Sequence, residues 1–182
     1  MILQLNFDIE IDMNIFWFRR DLRLEDNVGL FHALNSLEEV LSIFIFDEEI
    51  LSQLPKNDAR VTFIHSQLEK IQLELQKIGK SLAVFHGKPL EIFEKLLSEN
   101  KITSVYTNHD YEPYARNRDK EMNQFFVSQK VSFLTSKDQV IFEKSEVVKD
   151  DGTPYVVFTP FSKKWKENFK KINLVHYNSE EK

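Results

Sequence analysis

Asn14-Ile15-Phe16-Trp17-Phe18-Arg19-Arg20-Asp21-Leu22-Arg23-Leu24-Glu25-Asp26-Asn27 decides the fold, because an apolar, aromatic run gives way within it to a dense charged turn. Residues 14–18 are too few and too aromatic for a soluble helix, whereas Asp26 or Asn27 can cap a helix carrying Val28, Leu30, Phe31 and Leu34. The stretch therefore reads as strand, charged loop, helix. In an open parallel α/β sheet, ligands bind at the loops that follow the strands. Three arginines and three acids in such a loop point to more than solvation.

The same pattern repeats outward. Residues 40–46 form a continuous apolar run of strand length, as in a strand covered on both faces, and end on Asp47-Glu48-Glu49. A loop over residues 51–57 leads to Val61, Ile64, Leu68, Ile71, Leu75 and Ile78, spaced three and four apart, with Gly79 placed to stop the helix. Residues 81–86 read as a third strand. Pro89 then suits the first position of a helix carrying Leu90, Phe93, Leu96 and Leu97. Residues 102–107 read as a fourth strand, followed by a second polar, aromatic loop at residues 108–114. A helix at 115–129, with Met122, Phe125 and Phe126 inward, and a strand at 131–134 complete the alternation.

This regular βα order predicts a five-stranded, parallel, doubly wound α/β sheet, Rossmann-like, with helices on both faces. With strand order 3-2-1-4-5, the sheet reverses its direction of growth between strands one and four, so the loops at 19–27 and 108–114 face each other across the crevice. Residues 13–135 make up this domain. Residues 1–12 read as an extension, with Phe7, Ile9 and Ile11 alternating as in an edge strand and disorder equally open. Residues 136–172 complete the domain: a pair of extended segments at 140–148, a turn at 150–154, and an exit helix from Pro160 to about Lys171, capped by Thr159. The polar residues 173–182 read as the start of a linker.

Composition narrows the functional classes. The chain has 182 residues, 42% of them hydrophobic, which suffices for one sizeable core. Its 24 Lys+Arg against 29 Asp+Glu give a net charge of -5, unlike a surface devoted to nucleic acid. The absence of cysteine removes disulfides, thiolate metal sites and thiol nucleophiles. No apolar run reaches the roughly 20 residues that span a bilayer, and the expected location is cytoplasmic, with no membrane partner.

Each candidate site has a structural reading beside the functional one. Asp47 follows a strand as a receiver phosphoacceptor does, but Arg19-Arg20 stands where that chemistry needs acids to hold a metal. The four glycines form no phosphate loop, the five histidines show no metal-ligand spacing, and no serine sits in a nucleophile elbow, so no catalytic or metal residue is assigned. Arg19, Arg20, Asp21 and Arg23 read equally as a salt-bridged turn or as a binding fork for carboxylates and planar rings. Asp110 and Glu112 can accept hydrogen bonds from a heteroaromatic ring, and Tyr111 and Tyr114 can stack on it or simply pack. Lysines 163, 164, 166, 170 and 171 around Trp165 read best as the solvated face of an amphipathic helix.

Phe18-Arg19-Arg20-Asp21-Leu22-Arg23-Leu24-Glu25-Asp26-Asn27 resembles the amino-terminal signature of the DNA photolyase and cryptochrome family. Ile43-Phe44-Ile45-Phe46-Asp47, Asn108-His109-Asp110-Tyr111-Glu112-Pro113-Tyr114-Ala115-Arg116-Asn117-Arg118-Asp119 and Tyr155-Val156-Val157-Phe158-Thr159-Pro160-Phe161 agree in the same order. The resemblance covers residues 13–169. It implies a flavoenzyme of two domains that repairs pyrimidine dimers with blue light: an α/β domain that can hold an antenna chromophore (folate, deazaflavin or a flavin such as FMN), and a helical domain that binds FAD and DNA. The helical FAD domain has no counterpart in these residues, so the implied partner is the protein's own carboxyl-terminal domain, with DNA bound through it and no repair by this part alone. By position, the resemblance places Arg19, Asp21, Phe46, Asp47, Asn108, Asp110 and Glu112 at the antenna pocket. Two other classes compete: a nucleotide-binding α/β domain of the electron-transfer-flavoprotein type, and a pure interaction module.

Overall fold

A computed structural model describes residues 12–181. Its centre is β1 (Met13–Phe18), in which every residue after Met13 is buried. The strand joins β2 (Glu39–Asp47), β3 (Leu82–Gly87), β4 (Ile102–Asn108) and β5 (Ser132–Ser136) in the order β3-β2-β1-β4-β5, each neighbouring pair parallel. A strand in the middle of such a sheet has no solvent face. The unbroken aromatic run at 16–18 is the consequence.

Side-chain alternation divides that run between two cores. Ile15 and Trp17 face α4 (Pro89–Glu99) and α5 (Pro113–Ser128), joining Phe93, Leu96, Met122 and Phe126, and Trp17 meets Phe93 edge to face at 5.2 Å. Phe16 and Phe18 face the other way, onto Leu30 and Ala33 of α1 (Val28–Leu34) and Leu68, Ile71 and Leu75 of α3 (Ala59–Lys77). The sheet is covered on both faces, and the reversal between β1 and β4 lies where expected.

Helix ends follow local chemistry. Asn27, rather than Asp26, caps α1, its side chain accepting from the Leu30 amide, while Asp58 caps α3 through the Arg60 amide. Pro89 and Pro113 open their helices, where a missing N–H costs nothing. Gly79, at φ 72°, takes the left-handed turn after α3. The loop after β2 begins with a short α2 (Glu48–Leu51), capped by Asp47.

The carboxyl-terminal third differs from the sequence reading at three places. Residues 140–148 form no strand pair; they carry a 3-10 turn at Lys144–Glu146, where the Glu146 carboxylate accepts the Glu143 amide at 2.6 Å and gives that backbone a local partner in place of a sheet. The last helix, α6 (Phe158–Phe169), starts two residues before Pro160, with Val157 rather than Thr159 at its cap. Pro160 is tolerated there because the first amides of a helix have no intrahelical acceptor. The polar tail folds back: Tyr177 packs on Phe31 at 5.3 Å, and Ser179, 3% exposed, accepts from the Asn27 amide and donates to the Leu24 carbonyl. The reading of residues 1–12 as an extension lies, apart from Asp12, outside the described residues. Among the described residues no helix is long and apolar enough to cross a membrane.

Candidate functional site

The two loops at the sheet's reversal meet, and they meet by bonding to each other. Asn108, at the carboxyl end of β4, accepts the Gly29 amide at 2.8 Å and donates to the Asp21 carboxylate at 2.5 Å and to Asn27 Oδ1 at 2.8 Å. Asn27 in turn donates to the backbone carbonyls of Asp21 and Arg23, and the other Asp21 oxygen accepts the Arg19 amide at 2.9 Å. Asp21, Asn27 and Asn108 are all buried. A buried amide so fully engaged has little capacity left for a ligand. Gly29 permits the close approach, since a Cβ there would stand 2.6 Å from Asn108 Oδ1.

Arg19 closes the floor of the crevice. Its guanidinium, 6% exposed, bonds Asp119 of α5 at 2.5 Å and also donates to the Asn108 carbonyl. It stands 5.3 Å from the centre of the Trp17 ring, on which Arg118 also stacks, at 5.0 Å. Burial holds the Arg19 guanidinium below its usual pKa, the nearby Arg118 charge adds to that, and Asp119 opposes it. Arg118 shares the Asp119 carboxylate at 3.1 Å and lies 3.9 Å from Asp47. Asp47, besides capping α2, accepts the Tyr114 hydroxyl at 2.7 Å. Burial, and then this bond to a carboxylate, push the Tyr114 phenol well above its ordinary pKa, so it stays a donor.

The seven residues placed at the pocket by resemblance thus separate into two groups. Arg19, Asp21 and Asn108 are joined in one internal network with Asn27 and Asp119. Phe46, half-buried 5.0 Å from Phe44, and Asp47 lie at the end of β2, while Asp110 and Glu112 lie in the loop after β4. Arg20 bridges towards Asp110 and Glu112 at 3.5 and 3.4 Å, long contacts at a rim where Arg20 is 56% and Glu112 66% exposed. Sequence reasoning gave Asn27 only a cap and assigned no role to Arg118, Asp119, Asp138 or Glu143. The spacing of Tyr114 and Arg118, one helical turn apart, was the available signal.

A second polar constellation occupies the other flank of the same loop. His109 Nδ1 and the Tyr111 hydroxyl both meet Glu143 Oε2, at 2.8 and 2.6 Å, and His109 Nε2 lies 2.9 Å from Thr135 Oγ1. Burial pushes the Glu143 carboxyl up, but the bonds from Tyr111 and His109 outweigh it and hold the group below its usual range. His109, Tyr111 and Thr135 border a cleft of about 680 Å³, walled by α5 on one side and by β5 and the Lys144 turn on the other. Nearby, Asp138, with a fully buried side chain, accepts from Arg23 at 2.7 Å and from the Val28 amide at 3.1 Å, pinning the charged loop to the start of α1.

Comparison with known proteins assigns this architecture. Residues 14–179 match the DNA photolyase family, and the chain belongs to that family. It is 32% identical over 151 residues to the deoxyribodipyrimidine photo-lyase of a Synechococcus strain, covering 83% of this chain and 31% of that protein. The crystal structure of a bacterial class III photolyase from Agrobacterium tumefaciens superposes with a TM-score of 0.75 at 28% identity, over 86% of this chain and 32% of the other. An archaeal photolyase from Sulfolobus tokodaii, solved with two FAD molecules, superposes at 0.74 with 30% identity, over 90% and 36%. The chain therefore spans about a third of the length of these relatives and corresponds to their α/β domain.

Proposed function

We propose that this chain serves as the antenna-chromophore domain of a deoxyribodipyrimidine photo-lyase and is not catalytic by itself. The observation that supports the reading is the family match over residues 14–179, on a fold whose reversal point presents polar and aromatic groups at its rim. The floor of that crevice is consumed by bonds among Arg19, Asp21, Asn108 and Asp119, and the buried Asp47 is spent on the Glu49 amide and the Tyr114 hydroxyl, so the chromophore is held by what remains: Phe46 on one side, Asp110, Glu112 and Arg20 on the other. Carboxylates and an exposed guanidinium suit the N–H and C=O edges of a planar heteroaromatic ring, and Phe46 offers it an apolar contact. When bound, such a group supplies light absorption. The chain's own residues supply position and exclusion of water.

In this reading FAD and DNA belong to a helical carboxyl-terminal domain of the full protein, which is the chain's partner, and the protein works in the cytoplasm. Titration with folate, deazaflavin and FMN, followed by fluorescence, tests it. Saturable quenching or enhancement with one of them is expected, weakened about tenfold by Glu112→Ala or Arg20→Ala if one charge-assisted bond is lost. Failure of all three to bind overturns the antenna role.

A further inference from the structure

The cleft between α5 and β5 carries charge that the crevice does not. Arg116, Lys120 and Asn123 recur along α5 at helical spacing and line one wall. Among the described residues, neither the Arg116 guanidinium nor the Lys120 ammonium has a carboxylate within ion-pair distance. The acids nearby are already engaged. Asp119 is held by Arg19 and Arg118, Asp110 faces Arg20, and Glu143 takes bonds from His109 and Tyr111. Lys144 reaches only the edge of Glu143, at 3.9 Å, and is 69% exposed. The concavity therefore gathers three cations beside two lining carboxylates, Asp110 and Asp119, both of which are already turned to other arginines, in a protein whose net charge is -5.

Size and the remaining lining narrow the ligand. At about 680 Å³ the cleft falls within the range of small-molecule sites, and Tyr111 and Phe133 give it aromatic surface beside the cations. Arginine and lysine together suit a phosphate dianion, the guanidinium as a fork and the ammonium as a point charge. Glu143 sets the orientation of the His109 ring, whose Nε2 faces Thr135 towards the same cleft. We infer that this cleft binds a small phosphomonoester carrying a ring, of mononucleotide size, with Arg116, Lys120 and Lys144 on the phosphate and Tyr111 and Phe133 against the ring. The site goes beyond the antenna reading, because it lies on the β5 side of α5 and its cations are not among the residues assigned to the chromophore.

Calorimetric titration of the chain with adenosine 5'-monophosphate, inorganic phosphate and adenosine tests it. Saturable binding of the first two is expected, with adenosine at least about tenfold weaker than the monophosphate. The double variant Arg116→Ala/Lys120→Ala, altering exposed side chains, should weaken the monophosphate by at least about tenfold. The matched control Lys163→Ala/Lys166→Ala on α6 should leave it within about twofold, as expected of exposed charges outside the site. Absence of saturable monophosphate and phosphate binding at millimolar concentration overturns the inference, as does unchanged binding in the double variant or equal loss in the control. Asp110 borders both sites and FMN is itself a ring-bearing phosphomonoester, so the readings are separated by variants: Arg116→Ala/Lys120→Ala should weaken adenosine 5'-monophosphate while folate and deazaflavin fluorescence is unchanged, and Glu112→Ala should do the converse.

Discussion

The crevice at the sheet's reversal and the cleft beside β5 flank the same loop, yet they spend their polar groups in opposite ways. In the crevice Asp21, Asn27 and Asn108 are buried and bonded to one another. In the cleft Arg116 and Lys120 are exposed cations with no carboxylate, among the described residues, within ion-pair distance. A saturated polar network rigidifies, whereas unspent charge is what a ligand can meet. Charged residues at a strand's carboxyl end thus mark a place where binding is geometrically available, and only the count of remaining donors and acceptors says what binds.

The contrast is broken most directly at Asn108. Replacing it with Ala strands the Gly29 amide and removes a donor from the buried Asp21 carboxylate, and should cost about 3 kcal/mol in urea unfolding. A loss below about 1 kcal/mol would mean that the network is solvated and the crevice open after all. Gly29→Ala probes the same junction from the helix, setting a methyl 2.6 Å from Asn108 Oδ1, with an expected cost of about 2 kcal/mol.

On the cleft side, Glu143→Gln should cost about 1 kcal/mol near neutral pH. The depressed carboxyl pKa of Glu143 gives it a definite pH signature. Its contribution is present above the ordinary carboxylate range and disappears as pH falls through its lowered folded value, so wild type and variant should converge in acid. Parallel stability curves would remove the Tyr111 and His109 bonds from the account. Smallest of all is Arg20→Ala, whose long, exposed contacts should contribute under about 0.5 kcal/mol to stability, leaving chromophore affinity as its only sizeable effect.

Much of this was legible from residue order. Hydrophobic runs and helical spacing located five strands and their alternation with helices, because a strand covered on both faces leaves an unbroken apolar signature, while the order and the reversal between β1 and β4 came from the common arrangement of such sheets. Asn108 and Asp21 were legible as important, but their bond to each other was not. An amide's hydrogen-bonding capacity is the same whether its partner is a ligand or a residue 87 positions away. Arg118 and Asp119 were hidden for a related reason: the spacing of Tyr114 and Arg118 puts them on one face, but on a helix as charged as α5 it does not tell a buried ion pair from a solvated one. The turn at Lys144–Glu146 was obscured by β-branched and aromatic neighbours that favour strands, a preference overruled by the Glu146 carboxylate.

Ser179 gives the molecule a temporal order. Its hydroxyl accepts from the Asn27 amide across 152 positions and donates to the Leu24 carbonyl across 155, so the first loop of the sheet is completed by one of the last described segments. During synthesis the amino-terminal strands emerge first and can pair, but the cap region of α1 waits for a latch that the ribosome has yet to make. Contacts of such separation are slow to form. Truncation before Tyr177 should therefore leave a sheet that assembles with its charged loop still fraying, visible as fast amide exchange at Asp26 and Asn27.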